Sequence, residues 1–266
     1  MTLNFKSELY QVADAIDAFP PYIFKFQHDF KFNEWKHKVD QYLDDVDELT
    51  EFKNLNDPEE GGGTTSVHFN YNNTGSDKFS WYGNDKQYGK IHKYGLPSQW
   101  SELRDFYDHL DMMLGMVQTE WGSRPEWRRF CCENWINRHP KGAWTTEHHH
   151  QNAAFATVAY LELPPDSGFL EVRNPLENLK KGETLDGNYW GEEKHWGQVE
   201  CVSGDVLIFP GWLSHRTQKN LTDNNRYVLS SNFQFLMKSP GEYSEEVDPQ
   251  LMEEEPIDFM SGSYKY

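Results

Sequence analysis

The chain has 266 residues, enough to bury one sizeable core or at most two. Its 43 acidic and 25 basic side chains leave a formal charge of -18 at pH 7, which argues against a nucleic-acid backbone or an anionic membrane as partner. Hydrophobic residues at 37% and aromatics at 15% exclude a disordered chain, and no run of eighteen apolar residues could span a bilayer. The opening "MTLNFKSELYQVADAID" lacks the blocks of a signal peptide, and three cysteines, two of them adjacent, do not make a disulfide framework. A cytoplasmic protein is expected.

In chain order, "FPPYIFKFQ" predicts an entry turn and a short strand, since Pro-Pro breaks any preceding helix. Asn33 is expected to cap a helix carrying Trp35, Val39, Leu43 and Val46 at spacings of three and four. "NDPEEGGGTTS" predicts a loop, and "SVHFNYNNTGSDKFSWYG" a hairpin with a polar turn. A second helix follows Pro97, with Trp100, Leu103, Phe106, Leu110 and Val117 in one stripe. From Pro125 onward the pattern changes to short β-rich runs: "WRRFCCENWINRH", "AFATVAYLEL", "GFLEVRNP", "QVECV", "DVLIFPG" and "RYVLSSNFQFL". Strands at this density, closed by Gly, Asp and Asn turns, predict a mainly β fold, a cupin-like jelly roll or barrel with N-terminal helices on one outer face. The aperiodic stretch from Glu177 to Gly197 predicts a lid, in which Trp190 and Trp196 could grip a substrate. The whole reads as one domain over 1–266, with a helical and hairpin part over 1–124, the jelly-roll core over 125–238 and an acidic tail over 239–266.

"TTEHHHQNA" puts three histidines in a row, and neutral imidazole is the commonest protein ligand for a transition metal. In an extended chain His148 and His150 share a face while His149 points the other way. A third ligand is available from a neighbouring strand at His215, in "FPGWLSHRTQ". No cysteine has a zinc-type partner, so His148, His150 and His215 form the candidate metal site, with open coordination positions. The isolated histidines, His28, His37, His68, His92, His109, His139 and His195, are read as ordinary polar residues. Eleven residues after His215, beyond the turn "NLTDNN", Arg226 heads the last strand. Two antiparallel strands joined by that turn would bring Arg226 near His215. Its fork in a barrel interior calls for a bidentate carboxylate partner, and a bound carboxylate ligand would supply one.

These blocks resemble the Fe(II)/2-oxoglutarate-dependent oxygenases frequent in bacteria and their phages. The elements that carry the resemblance are Trp135 and Asn137, His148 and His150, Tyr160 and Leu161, Pro165 and Gly168, Gly204 and Asp205, Phe209 and Pro210, His215 and Arg226, over roughly residues 130–236. The resemblance implies a double-stranded β-helix, iron held by the histidine-rich segment and His215, and 2-oxoglutarate anchored by Arg226. Asn137 and Ser230 are further candidates for binding the co-substrate. The chain departs from the wider superfamily at two places: His150 stands where an acid is usual, and Val228 stands where a serine is usual, leaving Ser230 as the nearest hydroxyl on that face. The implied activity is oxidation of a substrate C–H bond with O2, giving succinate and CO2, supported by ascorbate. The substrate would be a small molecule or a polypeptide; no nucleic acid or membrane partner is expected, and the oligomeric state is open. A three-histidine cupin that needs no 2-oxoglutarate and a metal-binding jelly roll without catalysis are the alternatives.

Overall fold

The computed structural model describes residues 23–48, 62–67, 91, 93–122, 128–150, 153–175 and 196–236. Among these residues, nine strands form two antiparallel sheets. In the first, β1 (Phe24–Gln27), β2 (Thr64–Thr65), β3 (Arg128–His139), β4 (Phe155–Glu162), β7 (Asp205–Pro210) and β9 (Arg226–Leu236) lie in the order β1-β7-β4-β9-β3-β2. The second holds β5 (Leu170–Arg173), β6 (Trp196–Val199) and β8 (His215–Thr217) in the order β6-β5-β8. This is the jelly-roll arrangement, a mainly β fold with helices on one side.

Each face of the large sheet has its own core, because alternate residues of one strand point to opposite faces. Toward the outside, Ile136, Phe155, Ala159, Val206, Ile208, Tyr227, Leu229 and Phe233 meet two helices, α1 (Phe32–Asp47) and α2 (Arg104–Glu120). The helices contribute the stripes expected of them: Trp35, Val39, Leu43 and Val46 from α1, and Phe106, Leu110 and Val117 from α2, all buried. Toward the inside, Ala156, Val158, Tyr160, Leu207, Phe209 and Val228 face Leu170 and Leu213 from the second sheet and its connections. Leu103 and Trp100 are buried as expected, but short 3-10 turns occupy Pro97–Gln99 and Ser101–Leu103, so α2 starts only at Arg104.

Several expectations change. Asn33 lies inside α1 and does not cap it; Lys31 holds that place with φ 46 and no side-chain cap, its own N–H bonded to Asp29. The glycine-rich loop turns into edge strand β2 at Thr64, paired to Asn137 and Arg138. Trp196 opens β6 opposite Arg173, with the Arg216 guanidinium 3.9 Å over its ring, so it is a strand residue of the second sheet in place of the expected loop. The expected hairpin of β8 and β9 is absent: β8 pairs with β5, whereas β9 pairs with β3 and β4. The connection switches sheets, held by Asn220, which is fully buried and donates to the carbonyls of His139 and Asn224. The hairpin after Val67, the stretch 176–195 with Trp190, and the acidic tail lie outside the described residues.

Candidate metal centre and its cavity

His148 and His215 sit opposite each other in a two-way backbone bridge, with N–H to O distances of 3.0 and 2.9 Å. His150 continues the extended run and donates its N–H to Gly211 O at 2.8 Å. Only glycine fits at 211, since a Cβ there would stand 2.1 Å from Ala153 O and 2.8 Å from His150 O. The run is therefore pressed against the β7–β8 turn, and His148 and His150 project to one side while His149 is exposed. One ring nitrogen from each of His148, His150 and His215 lies within 4.8 Å of the others.

Backbone acceptors orient two of the rings. His148 Nδ1 is 2.8 Å from Thr146 O, and His215 Nδ1 is 2.8 Å from Leu213 O, which holds the protons there and turns both Nε2 lone pairs to the common centre. His150 Nε2 stands 3.3 Å from His215 Nε2. Burial, with the neighbouring imidazoles, pushes the His150 pKa down to about 4 and that of His215 to about 3; burial also lowers His148. All three are neutral at pH 7, the form that binds a metal. The acid next to His148 in sequence, Glu147, is engaged elsewhere: it accepts from Arg173 and Ser214, each at 2.8 Å.

The three imidazoles line a cavity of about 840 Å³ between the sheets, within the size range of small-molecule sites. Its floor is the inner face of β3 and β9, where residues pair in register: Glu133 with Asn232, Trp135 with Ser230, Asn137 with Val228, and His139 with Arg226. Asn137 and Ser230 line it, as does Trp135, whose ring lies 5.7 Å from that of His150.

Arg226 is completely buried at one end of this floor but is not among the residues lining the cavity. Its Nη1 donates to the carbonyls of Ser167, Gly168 and Gln218, and its Nη2 to Thr217 Oγ1 and Gln218 O. The expected need for a bidentate carboxylate is thus mostly met by backbone oxygen. Those carbonyls come from the Pro165–Gly168 turn and from the end of β8, which touch because residue 168 has no Cβ; one would lie 2.9 Å from Gln218 Cβ. Burial lowers the Arg226 pKa to about 10, so it stays charged at neutral pH.

Beside it sits a residue that sequence reasoning passed over. His139 is buried, lines the cavity, and shares Nε2 with Thr145 Oγ1 at 2.9 Å; burial and then the Arg226 charge hold its pKa well below the usual value. Among the described residues, four buried side-chain polar atoms have no hydrogen-bond partner: His139 Nδ1, Ser167 Oγ, Arg226 Nε and Asn232 Oδ1. Unpartnered buried polar groups are costly and uncommon. Three of the four belong to Arg226 or to residues beside it.

Residues 133–232 match the model of a family described as "Putative 2OG-Fe(II) oxygenase". No curated protein matches the chain. Among solved structures it is similar to an oxidoreductase of the 2OG-Fe(II) oxygenase family from Burkholderia pseudomallei, at 15% identity and TM-score 0.34, over 56% of this chain and 58% of that one. It is also similar to a prolyl-4-hydroxylase from Pseudomonas putida, at 14% identity and TM-score 0.46, over 80% of this chain and 92% of that one. A third is HygX from Streptomyces hygroscopicus with nickel and 2-oxoglutarate bound, at 15% identity and TM-score 0.30, over 40% of this chain and 56% of that one. The chain thus spans little more than half the length of the first and the third. The matched segment, residues 133–232, is similar to the 2OG-Fe(II) oxygenase family and holds both histidine segments and Arg226.

Proposed function

We propose that the chain is an Fe(II)- and 2-oxoglutarate-dependent dioxygenase that hydroxylates a C–H bond of an amino acid, a protein side chain or another small metabolite. One observation carries this reading: three neutral imidazoles line one cavity, and a buried, charged arginine with a spare donor lies behind its wall, paired in register with the cavity residue His139. His148, His150 and His215 would hold the iron, and three ligands leave three positions of an octahedral ion open. Iron and 2-oxoglutarate, when bound, supply the oxidation of the substrate by O2, with succinate and CO2 as co-products.

The residues fit a carboxylate at the Arg226 end. Arg226 Nε–H is a donor without an acceptor, and His139 Nδ1 can donate when its Nε2 accepts from Thr145. A carboxylate would offer acceptors to both, which makes His139, paired in register with Arg226, its candidate partner. Asn137 and Ser230, on the cavity face, would add hydrogen bonds to the same molecule. An imidazole in place of the usual acid leaves the iron site one charge more positive, which favours an anionic co-substrate. The chain's own part is to hold these groups in one geometry and to keep water out. The active unit would be a single domain over 1–266 working in the cytoplasm.

A three-histidine dioxygenase that does without 2-oxoglutarate draws on a different observation: the Nη atoms of Arg226 already bind carbonyls, and the guanidinium lies behind the cavity wall. Succinate release separates the two. The full chain with Fe(II), ascorbate and 2-oxoglutarate is expected to release succinate slowly without substrate and faster with the right one. Iron bound one to one with no succinate formed would favour the second reading, and a protein that holds only zinc would be a binding module.

A further inference from the structure

The end of the cavity opposite Arg226 has a chemistry of its own. His139 lies six positions beyond Glu133 along β3, about 20 Å of extended chain. A bulge places Glu133 there. Cys131 packs on the outer, helix-covered face opposite Phe233, yet Glu133, two residues later, lines the cavity opposite Asn232. The register shifts between them, so Cys132 is the extra residue that turns the strand over. Bulges of this kind re-aim side chains beside functional sites.

Glu133 Oε2 accepts from Asn232 Nδ2 at 2.6 Å. A carboxylate can only accept, so this bond fixes the amide and leaves Oδ1 as a second acceptor. Asn232 is only 3% exposed, and its Oδ1 is the fourth unpartnered buried atom. Among the described residues Glu133 has no cationic partner. Trp135, the next cavity-facing residue on β3, completes the group with an aromatic face. A carboxylate, an amide oxygen and an indole ring attract a cation that also donates hydrogen bonds; an anionic group would be repelled, and a hydrocarbon would leave Asn232 Oδ1 unpaired.

We infer that the Glu133–Asn232 end of the cavity is a subsite for a cationic nitrogen group of the primary substrate, an ammonium or a guanidinium. The inference rests on the proposed oxygenase reading for what is oxidised, and on the cavity alone for what is bound. Trp135 packs against His150, so the aliphatic stem of such a group would lie along the indole and bring its C–H bonds toward the histidine centre. The substrate class is then an amino acid, a peptide side chain or a polyamine carrying a flexible cationic arm.

The test is a titration of the full chain with hexylammonium, hexylguanidinium and uncharged hexanol, followed by ligand-observed NMR. At least one cation should bind at least roughly tenfold more tightly than hexanol, and Glu133→Gln should erase that preference. Glu133 is one of 43 acidic residues, so an attraction due only to the overall negative charge would survive the substitution. A preference that survives in a folded Glu133→Gln overturns the proposal, as does equal binding of all three probes by the parent. Should Glu133→Gln not fold, Glu133→Asp, with the charge on a shorter stem, is expected to fall between, and an unchanged preference overturns the proposal there too. 2-Oxoglutarate binding is measured on the same samples. If it binds while no cation is preferred, the subsite fails alone; if a cation is preferred but 2-oxoglutarate does not bind, the oxygenase reading fails and the subsite stands.

Discussion

The two faces of the large sheet are built from the same strands and do opposite things. Outward along β9 run Tyr227, Leu229 and Phe233, sealed under α1 and α2; inward run Arg226, Ser230 and Asn232, with Val228 the one apolar residue. The outward face has almost all its polar atoms paired, as where Tyr107 and Ser231 share a hydrogen bond of 3.1 Å. The inward face of β3 and β9 carries three of the four unpartnered buried atoms. Stability is thus concentrated on one side of a strand and chemistry on the other. The separation is testable, because a residue and its neighbour in sequence should report on different properties.

The largest effect is expected at the centre itself. His215→Ala should abolish metal-dependent turnover and weaken metal binding, while the metal-free protein melts at nearly the parent temperature; a collapsed melting temperature would tie the imidazole to the fold. Next comes the outer face. Phe233→Ala should cost about 3–5 kcal/mol of stability in urea unfolding, the usual range for emptying a buried aromatic site, with metal stoichiometry unchanged in the folded fraction. Arg226→Leu ranks third and tests the inner face away from the histidines. Removing one partner of a buried charged pair typically costs about 2–5 kcal/mol, so 2-oxoglutarate should bind at least roughly thirtyfold more weakly, read from the iron charge-transfer absorption. Arg226→Lys, which keeps the charge without the fork, should fall between, and iron affinity should not move in either. Unchanged 2-oxoglutarate binding in Arg226→Leu would transfer the assignment to the three-histidine cupin. Smallest of all should be His149→Ala: the residue is exposed, so stability should stay within about 0.5 kcal/mol and turnover near the parent's. A dead His149→Ala beside an active His148→Ala would reverse the assignment of faces.

Much of this was legible in the sequence because it depends on local period. The helix stripes, strands β3, β4, β7 and β9, and the pairing of His148 with His150 across an exposed His149 follow from spacings of two, three and four. What failed depends on tertiary choices. Lys31 takes the cap position from Asn33 through a left-handed backbone that no propensity rule favours for lysine. β8 and β9 separate because Asn220 organises a turn between sheets, and the same turn residues would equally suit a hairpin. His139 was indistinguishable from any strand histidine until its register opposite Arg226 was known. Glu133 was hidden for a sharper reason: the bulge at Cys132 inverts the alternation, so counting by twos from Cys131 assigns it to the wrong face.

The carbonyl cage around Arg226 bears on how readily a ligand could be gripped. An arginine side chain that must be frozen on binding forfeits about 2 kcal/mol of rotamer entropy. Here five hydrogen bonds to Ser167, Gly168, Thr217 and Gln218 have already frozen it when the chain folds. Whatever anion meets its remaining Nε–H therefore finds a donor that has no freedom left to lose, aimed by two loops that the same guanidinium ties together.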